Sequence, residues 1–101
     1  MLTDIRHDTG RRRFYVTLEG ETALVDYNLT DGALDVRHTY VPPSLEGRGI
    51  ASELVRAAYD YARSAGLRPL ATCSYAVRWL QRHPGYGGCA SADYCEGSCP
   101  L

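Results

Sequence analysis

The chain has 101 residues, of which 45% are hydrophobic, and its 12 acidic and 11 basic side chains give a formal net charge of −1 at pH 7. A chain of this length forms one domain and buries enough surface for a core that is stable without disulfides or metal ions. The balanced charge gives no strong field for nucleic acid or an anionic membrane, and no apolar run approaches the roughly 20 residues of a membrane-spanning helix, so neither partner is expected.

Four short segments of alternating polarity predict an antiparallel sheet in the first part of the chain. They are residues 5–8, 14–18, 23–29 and 34–41, separated by turn dipeptides that end in glycine and closed by Pro42-Pro43. Strict alternation in the fourth segment places His38 on the same face as Leu34 and Val36, and Thr39 on the opposite face. We therefore expect four sequential strands joined by tight turns.

A long helix is predicted after the two prolines, because apolar residues recur at helical spacing over residues 50–65 before Gly66. Residues 67–72 are short enough to form a fifth strand. Ser74 marks the start of a second, short helix that ends at His83-Pro84. The order of four strands, helix, strand and helix predicts an α+β fold.

Residues 87–101 contain glycine, serine, acidic residues and cysteine without periodicity, so we expect a flexible tail after a domain of residues 1–86. The tail holds Cys89, Cys95 and Cys99, which with Cys73 or His83 would suffice for a tetrahedral zinc site. Their spacing lacks the short paired gap of zinc knuckles, so no metal site is predicted. Residues 1–13 lack the apolar run of a signal peptide, so a cytoplasmic location with reduced thiols is expected.

A glycine-bearing loop, residues 46–51, lies between the fourth strand and the long helix and reads Glu-Gly-Arg-Gly-Ile-Ala. Glycines let successive backbone N–H groups approach an anion, and a helix start adds unpaired donors and the positive end of its dipole. A pyrophosphate suits this chemistry. The same glycines also suit a tight strand-to-helix turn that binds nothing.

Residues 41–55 resemble motif A of the GCN5-related N-acetyltransferases, in which a Gln or Arg is followed by two variable residues, a glycine, one variable residue, and a glycine or alanine. With Gly47 and Gly49 as the aligned glycines, Ser44 stands at the Gln or Arg position. The wider frame, residues 5–86, is similar to the smallest members of this family, which lack the usual N-terminal helices.

This resemblance implies that the fourth and fifth strands splay apart and that the pantetheine arm of acetyl-CoA enters the gap. Tyr40 and Val41 would offer backbone groups to that arm. The pyrophosphate would rest on the backbone of the loop, at Gly47, Arg48, Gly49, Ile50 and Ala51. The Arg48 side chain either adds a charge-assisted contact or stays a solvated loop arginine.

Two side chains near the predicted splay carry candidate catalytic chemistry. His38 would be the general base that deprotonates an amine, because imidazole titrates near neutral pH; the alternative is a hydrogen-bonded core histidine. Cys73 precedes a predicted helix start, where the helix dipole favours a thiolate able to accept the acetyl group; the alternative is a cysteine that fills space.

The sequence departs from the family at Tyr40, since the small relatives tend to read His-Thr-Glu-Val where this chain reads His-Thr-Tyr-Val. A phenol cannot replace a carboxylate base near neutral pH. Three functions stay open: an acetyl-CoA-dependent N-acetyltransferase acting on a small-molecule or protein amine, a coenzyme A-binding module without efficient catalysis, and a metal-dependent interaction domain organised by the tail. A partner subunit, such as a second copy in a homo-oligomer, would complete the acceptor pocket.

Overall fold

The computed structural model describes residues 4–90, which form a six-stranded sheet and two helices. The strands are β1 (Arg6–Asp8), β2 (Arg13–Leu18), β3 (Glu21–Thr30), β4 (Ala33–Tyr40), β5 (Arg68–Ala71) and β6 (Cys89–Ala90), and the helices are α1 (Ile50–Ser64) and α2 (Ser74–Arg82), with 3₁₀ turns at Pro43–Leu45 and Pro84–Tyr86. Strand order follows chain order; β1 to β4 pair antiparallel, and β4, β5 and β6 pair parallel. The predicted α+β arrangement of four antiparallel strands, long helix, fifth strand and short helix is confirmed.

The sixth strand is the element that the sequence pattern did not predict. Cys89 and Ala90 pair with Leu70 and Ala71 of β5, within the segment expected to be a loose tail. Gly88 permits this approach, because a Cβ there would lie 2.6 Å from a Leu80 methyl group. The rest of the expected tail, residues 91–101, lies outside the described residues, so the division at residue 86 stays a prediction.

The core lies between the sheet and α1, whose apolar stripe packs on β2, β3, β4 and β5. Tyr59 is the largest fully buried side chain, and its hydroxyl donates to the carbonyl of Leu70 at 2.7 Å. This bond satisfies the buried polar atom, and burial raises the pKa of Tyr59 well above its ordinary value. Neither helix within residues 4–90 is long and apolar enough to cross a membrane.

A β-bulge interrupts β4. Asp26 of β3 pairs with His38, whereas the next residue, Tyr27, pairs with Val36, so Arg37 has no opposite residue. Because one extra residue reverses the alternation, Thr39 shares the buried face of Val36, and His38 lies on the opposite, exposed face. The prediction that His38 shares a face with Leu34 and Val36 is wrong for this reason.

An aromatic cluster holds the first strand against the core. The His7 ring stacks on Phe14 with centroids 4.0 Å apart and meets Tyr61 edge-on at 4.5 Å, and its Nε2 atom shares a hydrogen bond with the Tyr27 hydroxyl. Partial burial lowers the pKa of His7, an effect only partly opposed by the charge of Asp8. The folded chain therefore favours the neutral imidazole.

The free energy of unfolding is expected to fall as pH drops below about 6.5, the ordinary pKa of histidine. The unfolded chain then binds a proton that folded His7 resists, so stability is complete above that pH and is lost toward the lower folded pKa. Urea unfolding of the wild type and of His7→Phe at several pH values measures this. An equal loss of stability in both proteins between pH 7 and pH 5 would contradict the assignment.

Candidate functional site

The cavity of interest opens where β4 and β5 part. The two strands pair only as far as Val36 and Ala71, and the Val36 carbonyl accepts N–H bonds from Thr72 at 2.9 Å and Cys73 at 3.1 Å. Beyond this point β4 continues to Tyr40 without β5 beside it. The predicted splay is confirmed, and a cavity of about 610 Å³ lies against the unpaired end of β4.

The wall of this cavity comes from the end of β4, the following loop, the start of α1 and the start of α2. It is mainly apolar, and Glu46 is the charged residue that lines it. A ligand with a largely aliphatic arm therefore suits it. The lining residues are Thr39, Tyr40, Val41, Pro43, Leu45, Glu46, Gly47, Gly49, Ile50, Ala51 and Tyr75.

The loop before α1 has the backbone geometry of an anion site. Gly47 and Gly49 take positive φ angles of 81° and 76°, which glycine adopts without the steric cost of a side chain. Gly49 is the N-cap of α1, and no side chain caps the helix there. The first-turn N–H groups thus lack intrahelical acceptors, and this end of the helix faces the cavity through Gly49, Ile50 and Ala51.

The residues predicted to contact the coenzyme converge on this cavity, with one exception. Arg48 is not among the lining residues; its guanidinium pairs with Glu19 in the turn between β2 and β3. The hydrogen bond from Arg48 holds the pKa of Glu19 below its ordinary value. The predicted coenzyme contacts that do line the cavity are Tyr40, Val41, Gly47, Gly49, Ile50 and Ala51.

His38 and Tyr40 lie on the same exposed side of β4, after the bulge. Tyr40 is 46% exposed and also lines the cavity, so its side chain stands at the boundary between the cavity and that side of the sheet. His38, two residues earlier on the same side of β4, is exposed and is not among the residues that line the cavity.

Cys73 is in a different environment, because its side chain is fully buried. Its Sγ atom lies 3.5 Å from the Thr39 hydroxyl, and Thr39 in turn lines the cavity. Cys73 itself is not a lining residue. The thiol is therefore separated from the cavity surface by one layer of side chains.

Tyr75, in the first turn of α2, lines the cavity and was not among the predicted site residues. Burial raises the pKa of Tyr75, and a hydrogen bond with Ser52 of α1 partly opposes that effect. The hydroxyl therefore stays protonated near neutral pH and is available as a donor. The sequence did contain a signal for this role, because Tyr75 closely follows the fifth strand, which forms one side of the splay.

Within residues 4–90, no group of three or more His, Cys, Asp or Glu side chains has an arrangement that would hold a metal ion. Cys73 is buried and Cys89 is exposed in β6, and both are free thiols. Cys95 and Cys99, the other members of the zinc set considered from the sequence, lie outside the described residues.

Comparison with known proteins gives one consistent family. The sequence pattern of the GCN5-related N-acetyltransferases matches residues 13–88. Protein NATD1 of Bos taurus is 36% identical over 83 residues, which are 79% of this chain and 74% of that protein, and protein NATD1 of Homo sapiens is 35% identical over the same shares.

A solved structure also has the same fold. The solution NMR structure of a GCN5-like protein from Staphylococcus aureus superposes with a TM-score of 0.67 and 26% sequence identity. The match covers 89% of this chain and 91% of the other. The fold is thus shared over nearly the whole described chain.

Proposed function

Because the chain belongs to the GCN5-related N-acetyltransferase family, we propose that it transfers the acetyl group of acetyl-CoA to an amine. The observation that carries the proposal is the cavity at the splay, which joins an apolar wall to the uncapped start of α1. An aliphatic pantetheine arm fits the wall, and a pyrophosphate fits the backbone donors of the loop. In acetyl-CoA the aliphatic pantetheine arm is joined to a pyrophosphate, so the ligand matches the apolar wall and the adjoining backbone donors.

In the proposed donor complex, the pantetheine arm lies along the unpaired backbone of Tyr40 and Val41. Its amide groups take the place of the β5 backbone, which has turned away after Ala71. The pyrophosphate accepts N–H bonds from the loop at Gly47 and Gly49 and from the first turn of α1. The thioester then lies near Tyr75 and the exposed end of β4, because these border the same cavity.

The chemical step is direct transfer within one complex. The amine nitrogen attacks the thioester carbonyl carbon, a C–N bond forms and the C–S bond breaks. His38 takes the proton from the amine nitrogen, and the Tyr75 hydroxyl gives a proton to the departing thiolate of coenzyme A. His38 suits the first role because it is exposed and lies two residues before Tyr40, which lines the cavity, and Tyr75 suits the second because it lines the cavity itself.

The covalent alternative, in which Cys73 first accepts the acetyl group, is the less favoured route. The thiol is fully buried behind Thr39, so a thioester would reach it only after side chains moved. We assign Cys73 to packing against Thr39. This assignment of Cys73 decides only between direct and covalent transfer, because both routes use the same donor cavity.

Cys73→Ala is expected to keep at least about a third of the wild-type kcat/KM, because direct transfer makes no bond to this sulfur. Steady-state kinetics with acetyl-CoA measures the rate, and intact-protein mass spectrometry looks for an acetyl group on the wild-type enzyme in the absence of acceptor. A thioester on Cys73 that forms and decays as fast as turnover would refute direct transfer.

The function itself is tested by release of free coenzyme A thiol when the full chain is mixed with acetyl-CoA and a panel of primary amines, including peptides and polyamines. Calorimetry with coenzyme A is run alongside. Binding together with amine-dependent thiol release supports the transferase. Binding without turnover on any amine would favour the coenzyme A-binding module, for which the tyrosine at position 40 is the supporting observation.

A further inference from the structure

A buried carboxylate lies at the point where β4 and β5 part. Asp35 of β4 is 3% exposed, and the hydroxyl of Thr72, the residue after β5, donates to its Oδ2 atom at 2.9 Å. The Arg37 guanidinium donates to the same oxygen at 3.2 Å and to the Thr72 hydroxyl at 3.2 Å. A buried carboxylate is costly unless charge-assisted hydrogen bonds compensate it, so these three side chains depend on one another. We call them the Asp35 network.

The Asp35 network joins the two irregular features of β4. On one side, Thr72 stands at the end of β5, where its N–H and that of Cys73 share the Val36 carbonyl and pairing with β4 stops. On the other side, Arg37 is the extra residue of the bulge and has no opposite residue in β3. The network therefore links the bulged residue to the departing strand, directly below the splay.

The bulge decides which side of the sheet His38 occupies. Asp35 and Arg37 flank Val36, whose side chain is in the core, so both lie on the side away from α1. Regular alternation would return His38 to the core side, whereas the bulge places it on the same side as Arg37. Because Arg37 has no partner residue in β3, its side-chain bonds to Asp35 and Thr72 help to hold it there.

We propose that Asp35 and Thr72 are positioning residues for the transfer reaction: they hold Arg37 in the bulge and so keep His38 on the side from which it takes the amine proton. This inference rests on the proposed function and on the role of His38 within it. A general base acts only within hydrogen-bond reach of its proton, so a displacement of about 1 Å lowers the rate. The residues of the Asp35 network do not line the cavity, so donor affinity should not depend on them.

Thr72→Val tests the network, because valine keeps the shape of threonine and removes the hydroxyl that joins Asp35 to Arg37. With the primary amine that the chain acetylates fastest, kcat is expected to fall about tenfold, while calorimetry should give an unchanged coenzyme A affinity. Thr72→Ser keeps the hydroxyl and should retain most of the wild-type kcat. Thr17→Val is the matched control, because it also removes a hydroxyl bond of the sheet, to Thr22 at 3.0 Å, but between β2 and β3. It should leave kcat unchanged.

A comparison in a second background separates the positioning of His38 from a general loss of structure. If the network acts through His38, Thr72→Val should lower kcat about tenfold in the wild type and not at all in His38→Ala. A merely structural effect would lower kcat equally in both backgrounds. Circular dichroism checks folding, and Arg37→Gln is the second variant if Thr72→Val does not fold, because the Arg37 side chain is 37% exposed. Its effect on kcat should depend on His38 in the same way.

The possible results separate this inference from the proposed function. Wild-type kcat in the folded network variant, an equal loss in the His38→Ala background, or weakened coenzyme A binding overturns the positioning role and leaves the transferase intact. Full kcat in His38→Ala overturns the general base and this inference together, while the donor cavity stands. A wild type that transfers acetyl to no amine overturns the proposed function as well.

Discussion

Gly49→Val is expected to weaken coenzyme A binding by about a hundredfold, because the pyrophosphate is proposed to rely on backbone donors around this residue, each worth about 1.5–3 kcal/mol toward a charged group. Gly49 has a φ of +76°, a conformation that a β-branched residue rarely adopts. A Cβ built there meets no atom within 4 Å apart from its own chain neighbours, so the added side chain extends into open space at the cavity wall. Calorimetry with coenzyme A measures the loss.

Gly66→Val is the matched control for this variant. Gly66 has almost the same φ, +74°, and equally open surroundings, but it follows the opposite end of α1 and is not among the cavity-lining residues. Both variants should lose similar stability through backbone strain, whereas only Gly49→Val should lose coenzyme A affinity. If folded Gly49→Val binds as tightly as Gly66→Val, the loop does not hold the pyrophosphate.

His38→Ala is expected to lower kcat by about a hundredfold with acetyl-CoA affinity unchanged, because the variant lacks the proposed general base for the amine proton. The side chain is exposed after the bulge in β4, so its removal leaves the core untouched. Steady-state kinetics with a primary amine measures kcat, and calorimetry measures donor affinity.

Addition of free imidazole separates a general base from a merely structural residue. Imidazole in solution should restore part of the His38→Ala rate and none of the rate of Tyr75→Phe, in which the proton donor is missing. Tyr75→Phe should cost only about tenfold, because a thiolate is a much better leaving group than an alkoxide and needs less help from an acid. No loss of rate in His38→Ala would remove the histidine from the mechanism.

The sequence predicted the fold well because each element has a strong local pattern. Alternation and turn dipeptides located the four antiparallel strands, and apolar spacing located α1, which begins at Ile50 as expected. The glycine loop was also predictable, because Gly47 and Gly49 stand directly before a helical pattern. Their positive φ angles are what the conformational freedom of glycine allows.

Two features of the candidate site could not be predicted from the local sequence pattern, because they depend on how distant parts of the chain pair and pack. The bulge at Arg37 has no residue signature of its own; it appears only when β3 and β4 are paired, and it moves His38 to the other face. The burial of Cys73 behind Thr39 likewise depends on residues distant in the chain. Register and long-range packing, rather than local preference, decide which of the two candidates faces solvent.

The two short strands at the margins of the sheet bear on solubility. Within residues 4–90, β1 contributes three residues to one edge and β6 two residues to the other. An edge strand exposes unpaired N–H and C=O groups that can template pairing with another chain, and natural proteins limit this hazard by keeping such strands very short. In the part of the chain that the structure describes, the exposed edge backbone spans only a few residues on each side, so fusions or insertions that lengthen either strand would expose more unpaired backbone and promote aggregation.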